Sequence, residues 1–135
     1  MTNAVFISLS VKNLKRSRVF FRELGFRFNP QFYDANAVCM VIRDGIYALL
    51  LTESYFKNFT SKRISDARRT TEVLITMHVA SKADIQWMIT RAQMLGASIY
   101  CPPQDCGWMY HHCFADLDGH QWELVYLDAD QLPIQ

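Results

Sequence analysis

The chain has 135 residues, the usual size of one domain, and half of them are hydrophobic against 20% charged, which excludes a disordered polypeptide. A net charge of +1, from 14 basic and 13 acidic residues, gives no electrostatic pull toward nucleic acid or an anionic membrane. Ile46 to Leu51, an apolar run of a length no other run exceeds, falls far short of the ~20 residues that span a bilayer.

Met1-Thr2-Asn3-Ala4 lacks the basic start of an export signal. The cysteines Cys39, Cys101, Cys106 and Cys113 show no CxxC spacing and read as reduced thiols in a soluble, cytoplasmic protein. The basic clusters Lys12, Lys15, Arg16, Arg18 and Lys62, Arg63, Arg68, Arg69 read as solvated helix and loop faces.

Ala4 to Val11 alternates and is rich in β-formers, so a strand is predicted there. Asn13 is a good N-cap, Leu14, Phe20, Phe21 and Leu24 follow near helical spacing, and Gly25 suits the position after a helix. Residues 26–32, 37–43 and 46–52 read as three more strands, the last two joined by Asp44-Gly45, a strong hairpin turn. Residues 53–71 form a linker in which Tyr55, Phe56 and Phe59 stand among polar residues, either a surface connection or a short ordered flap.

The second half repeats the plan. Residues 72–80 are a predicted strand, and Ser81 with Asp84 resembles a capping box ahead of a helix that ends at Gly96. That helix carries Ile85, Met88, Ile89, Ala92 and Leu95 on one face. Residues 97–101 are expected as a strand, then a turn-rich stretch through Pro102, Pro103 and Gly107. Residues 108–115 and 120–126 are the last strands, joined by Asp116-Leu117-Asp118-Gly119. Val11 and Val79 are 68 residues apart, Leu24 and Leu95 71, Gly45 and Gly119 74, the slow drift of a duplicated unit whose loops have changed length. The expected fold is α+β: a single domain of two tandem βαβββ modules, about 4–52 and 72–126, forming a cupped mixed sheet around a cleft.

Asn13-Leu14, Ser17, Phe20-Phe21 and Leu24-Gly25-Phe26 together resemble the first strand–helix unit of the vicinal oxygen chelate superfamily, which includes glyoxalases, bleomycin resistance proteins and extradiol dioxygenases. Asp116-Leu117-Asp118-Gly119-His120-Gln121-Trp122-Glu123 resembles its last hairpin, and the likeness spans nearly the whole chain. It implies the fold; the activity does not follow, because one fold hosts many chemistries.

Metal-using members of that superfamily take His, Gln or Glu ligands from the first and fourth strand of each module. The matching positions here are Phe6, Leu49, Leu74 and Glu123. Three of the four have no donor atom, and one carboxylate does not hold a catalytic ion that needs about three protein ligands. The expectation is therefore a degenerate site without a metal cofactor. The alternative is a relocated site for Zn, Ni, Mn or Fe using His78, Glu123 and His111 or His112.

Alternation outward from these positions places Phe6, Ser8, Ser10, Tyr47, Leu49 and Leu51 on the cleft face, with Leu74, Thr76, His78, Gln121 and Glu123 from the second module. Trp108, Tyr110 and His112 are expected at its mouth, in a register uncertain by one residue. This composition suits a small, partly aromatic organic ligand, with Glu123 as its acid/base. The alternatives are a divergent metal-dependent lyase, isomerase or dioxygenase, and a purely structural or regulatory dimer. The resemblance implies a homodimer; neither nucleic acid nor membrane is an expected partner.

Overall fold

The structure, a computed structural model, describes residues 1–131. The chain divides into two compact units, one over Met1–Ser65 and one from Asp66 onward. Each is built on the same α+β plan, so the chain consists of two tandem βαβββ modules.

In the first unit β1 (Val5–Val11) leads to α1 (Leu14–Glu23), then β2 (Arg27–Tyr33), β3 (Ala37–Arg43) and β4 (Ile46–Thr52). The sheet order is β1-β4-β3-β2, with β1 parallel to β4 and the other pairs antiparallel. Asn13 starts the helix as anticipated, its side chain accepting from the Arg16 amide at 3.0 Å. Phe20 and Phe21 are buried on the helix's inner side, and Met40, Ala48 and Leu50 are buried in the middle strands. Covering a side chain of the size of Leu50 contributes about 2 kcal/mol. β2 is irregular: its pairing with β3 shifts between Phe28 and Tyr33, around Pro30, which has no amide to donate.

The linker contains a one-turn helix, α2 (Glu53–Phe56), capped by the Thr52 hydroxyl and packed against β1 and β4. Of the two expectations for this segment, the ordered one describes its first residues.

In the second unit β5 (Leu74–His78) leads to α3 (Lys82–Met94), then β6 (Gln104–Asp105), β7 (Met109–Ala115) and β8 (Gln121–Leu127). A 3-10 turn follows at Ala129–Gln131. The order β5-β8-β7-β6, with β5 parallel to β8, reproduces that of the first sheet strand for strand. Ser81 caps α3 by accepting from the Asp84 amide at 3.0 Å. Ile85, Ile89 and Ala92 form the buried stripe of α3, which packs against β7 and β8.

The strand expected over residues 97–101 does not form. Ser98 exchanges both backbone hydrogen bonds with Ala115, but only as an isolated bridge. Continuing that register would set Pro102 opposite His111, where Gln104 stands instead. Pro102 and Pro103 carry no amide hydrogen, so a ladder cannot run through them, and pairing resumes only at β6. No helix among the described residues is long and apolar enough to cross a membrane.

Candidate functional site

Alternation sorts the side chains of β5, β8 and β7 onto two faces. One carries Ile75, Trp122, Leu124, Tyr110, His112 and Phe114, all buried. Lys82, the first residue of α3, lies over the Tyr110 ring at 5.0 Å, so this is the helix-covered face. The other face carries Leu74, Thr76 and His78 from β5, Gln121 and Glu123 from β8, and Met109 and His111 from β7.

Glu123 is the centre of this open face. The Thr76 hydroxyl donates to its Oε2 at 3.1 Å, and His111 Nε2 lies 2.9 Å from its Oε1. The Glu123 and His111 side chains are about a fifth exposed, at 23% and 21%, so they are shielded but reachable. Gln121 lies two residues earlier on the same face; its Oε1 accepts from the Thr71 hydroxyl at 2.5 Å, and its side chain hydrogen-bonds Tyr100. Burial pushes the Tyr100 phenol above its ordinary pKa, the nearby Glu123 charge pushes the same way, and the Gln121 bond opposes both. Tyr100 therefore keeps its proton beside a carboxylate. The group offers one acceptor of protons, a phenol O–H and an imidazole that can face a developing anion.

Leu74, Thr76, His78, Gln121 and Glu123 thus share a face, in the register read from the sequence. His78 is turned toward the end of β8, its Nε2 accepting from the Leu127 amide at 3.4 Å. Tyr110 and His112 do not join them. Both lie on the helix side, and His112 Nε2 donates to the Cys101 carbonyl at 3.0 Å. The correction is a one-residue shift of face along β7, which brings His111 to Glu123 instead. Tyr100 escapes a reading of the sequence because residues 97–101 carry the pattern of a regular strand.

In the first unit Phe6, Ser8, Tyr47 and Leu49 also share one face, opposite the face that carries Leu9, Ala48 and Leu50. Phe6 pairs with Tyr47 and Ser8 with Leu49, and the rings of Phe6 and Tyr47 stack 5.0 Å apart. Phe6 is 57% exposed, large for an aromatic ring on a strand.

Phe6, Leu49 and Leu74 offer no donor atom, His111 and Glu123 meet on the open face with Gln121 beside them, and no group of three His, Cys, Asp or Glu side chains converges among the described residues. Cys113, which lies opposite Glu123 in the ladder, is committed elsewhere.

That commitment corrects the reading of all four cysteines as reduced thiols. Cys101 and Cys113 form a disulfide, while Cys39 and Cys106 are free. Their spacing carries no signature; the bond spans the interval where the prolines interrupt the ladder and ties that segment to β7. A disulfide is not what a reducing cytoplasm favours. Cys39 is buried, which raises its thiol pKa and suits inert packing. Unfolded without reductant, the chain is expected to titrate only the thiols of Cys39 and Cys106, and all four cysteines after reduction. The Cys101→Ser/Cys113→Ser variant is expected to lose about 3 kcal/mol in urea unfolding, the chain-entropy value for a loop of this length.

The fold is shared with solved structures described as glyoxalase/bleomycin resistance protein/dioxygenase proteins. A hypothetical protein from S. aureus superposes with a TM-score of 0.80 at 22% identity, over 93% of this chain and 94% of that one. A glyoxalase-related enzyme from Fulvimarina pelagi gives 0.78 at 17%, over 93% and 88%. The fosfomycin resistance protein FosX from Mesorhizobium loti gives 0.71 at 17%, over 97% of each chain. No protein-family model matches the sequence, and no curated protein matches it.

Proposed function

We propose that the chain binds a small, partly aromatic organic molecule on the open face of its second sheet and exchanges a proton with it through Glu123. The observation that carries this reading is the fixing of both Glu123 carboxylate oxygens, one by Thr76 and one by His111, in a shielded but accessible position. A carboxylate held in one orientation transfers protons along one direction, which is what general acid/base catalysis asks of it. Tyr100 and Gln121 add polar contacts on the same face, and Leu74, 52% exposed, adds an apolar one. Such a mixture of apolar wall and few polar groups is the usual make-up of a small-molecule site. Solved structures of this fold include a fosfomycin resistance protein and a glyoxalase-related enzyme, both named for small-molecule chemistry. The proposal includes a homodimer: β1 is a sheet edge that exposes Val5 and Phe6, and β5 one that exposes Leu74, with Val73 exposed just before it, the kind of edge that natural proteins cover.

The test is a thermal-shift screen of small aromatic acids, phenols and ketones, followed by titration of each hit into Glu123→Gln. The amide oxygen of that variant still accepts from Thr76, so the fold should be kept. Turnover or affinity for a hit on this face should fall roughly 100-fold, with metal content unchanged. A hit handled equally well by Glu123→Gln and by the wild type would remove Glu123 from the proposal.

A further inference from the structure

The first unit holds a groove of about 800 Å³, lined by Arg18 and Arg22 of α1, Arg27 and Phe28 of β2, and the rings of Tyr33 and Tyr47. Three guanidiniums on one groove in a chain of net charge +1 are a local concentration, not a reflection of composition. Arg18 and Arg22 are four residues apart on α1, so they occupy the same helix face, where like charges are mildly destabilising. No carboxylate among the described residues forms an ion pair with any of the three arginines. Asp44 also lines the groove but makes no ion pair with them. Arg18 lies over the Tyr33 ring, 4.7 Å from its centroid, an arrangement that holds the guanidinium on an aromatic wall. The groove therefore joins uncompensated, partly oriented cations to apolar surface.

We propose that this groove is a second binding site, selective for a small organic anion: a carboxylate or phosphate carried on an apolar body. Guanidinium groups bind both oxyanions through paired N–H donors, and a charge already seated on a ring loses less freedom on pairing. Phe28 and Tyr47 would lie against the ligand's apolar part. A solvated basic helix face explains Lys15 and Arg16, but it does not explain why Arg18, Arg22 and Arg27 border one concavity together with aromatic rings.

The experiment is calorimetric titration of the full chain, at low ionic strength, with phenyl phosphate, benzoate, inorganic phosphate and phenol. Phenyl phosphate or benzoate should bind and weaken with added salt; any phenol binding should be salt-insensitive and should survive Arg22→Gln/Arg27→Gln, and inorganic phosphate should bind roughly tenfold more weakly than phenyl phosphate. The Arg22→Gln/Arg27→Gln variant should lose at least about tenfold in affinity while melting at or slightly above the wild-type temperature, because a like-charge conflict has been relieved. Glu123→Gln should keep the salt-sensitive, arginine-dependent binding of phenyl phosphate, which separates failure here from failure of the acid/base site. No binding of either aryl anion at about 5 mM overturns the proposal, as does unchanged binding in the double arginine variant. So does inorganic phosphate binding as tightly as phenyl phosphate, since the apolar wall would then contribute nothing.

Discussion

Asp116→Ala is expected to be among the most damaging single substitutions in the chain, costing about 4 kcal/mol and lowering the melting temperature by roughly 12 °C. Asp116 is buried, and its two oxygens organise the last hairpin. Oδ1 accepts from the amides of Asp118 at 2.9 Å and His120 at 3.0 Å, and Oδ2 accepts from the Trp122 indole at 3.0 Å. Trp122 is completely buried, so its N–H has no route to water once the carboxylate is gone. An orphaned buried donor costs about 1–3 kcal/mol, and two half-buried turn amides losing an acceptor add about 1 kcal/mol each. Asp116→Asn should be milder, about 2 kcal/mol, because its oxygen keeps the two turn amides while its NH₂ faces the indole N–H. Adding Trp122→Phe to Asp116→Ala should recover part of the loss, since the donor itself disappears; strict additivity in that double-mutant cycle would mean the indole bond contributes nothing.

The same residue carries a pH signature. Burial raises the Asp116 pKa, outweighing the His120 charge, the Trp122 bond and the Asp118 amide that act against it. The folded chain therefore holds this proton to a higher pH than the unfolded chain. Its contribution is complete below the ordinary carboxylate range and declines as pH rises through the raised folded value. Urea unfolding across that interval should show the downward slope in the wild type and a shallower one in Asp116→Asn.

Much of this hairpin is legible in the residues themselves. Asp-x-Asp-Gly is a turn whose first carboxylate caps its own loop, and the alternation of Gln121, Trp122, Glu123 and Leu124 assigns a face to each side chain without ambiguity. β5 shares that clarity, so counting along the strands places Thr76 beside Glu123. β7 does not share it. Tyr110, His111, His112, Cys113 and Phe114 contain no clean apolar–polar alternation, because Cys113 is buried on the open face by its disulfide while His112 and Phe114 are buried under the helix. With both faces partly covered, periodicity cannot say which histidine meets Glu123. The Cys101–Cys113 bond is equally hidden, since the pairing of cysteines follows from the bent path around Pro102 and Pro103, a tertiary fact. Arg18, Arg22 and Arg27 are readable as basic residues, but their shared groove depends on where the irregular β2 lies beside α1.

The duplicated turn glycines supply the other large effect, because the two modules answer the same substitution differently. Gly45 and Gly119 occupy equivalent hairpins and both have positive φ, 86° and 94°. Alanine at either position therefore incurs backbone strain of about 1 kcal/mol. At Gly45 the added Cβ would meet only the Asn3 carbonyl oxygen at 3.5 Å, an ordinary contact. At Gly119 it would lie 2.7 Å from the Arg68 amide nitrogen and 2.9 Å from the Ala67 carbonyl carbon and oxygen. These are backbone atoms, and the segment that bears them is anchored. The Arg68 guanidinium donates to the Leu117 carbonyl at 2.5 Å, and the Arg68 amide is held by Asp66 Oδ1 at 3.0 Å. The chain cannot step aside without breaking those bonds, so overpacking adds about 2 kcal/mol to the strain. Gly119→Ala is thus expected to cost about 3 kcal/mol and Gly45→Ala about 1 kcal/mol in urea unfolding. Arg68→Ala in the Gly119→Ala background should return some of the difference by freeing residues 66–68 to move. Equal losses at the two glycines would show that the turn conformation alone sets the cost, and that the linker does not press on the second hairpin.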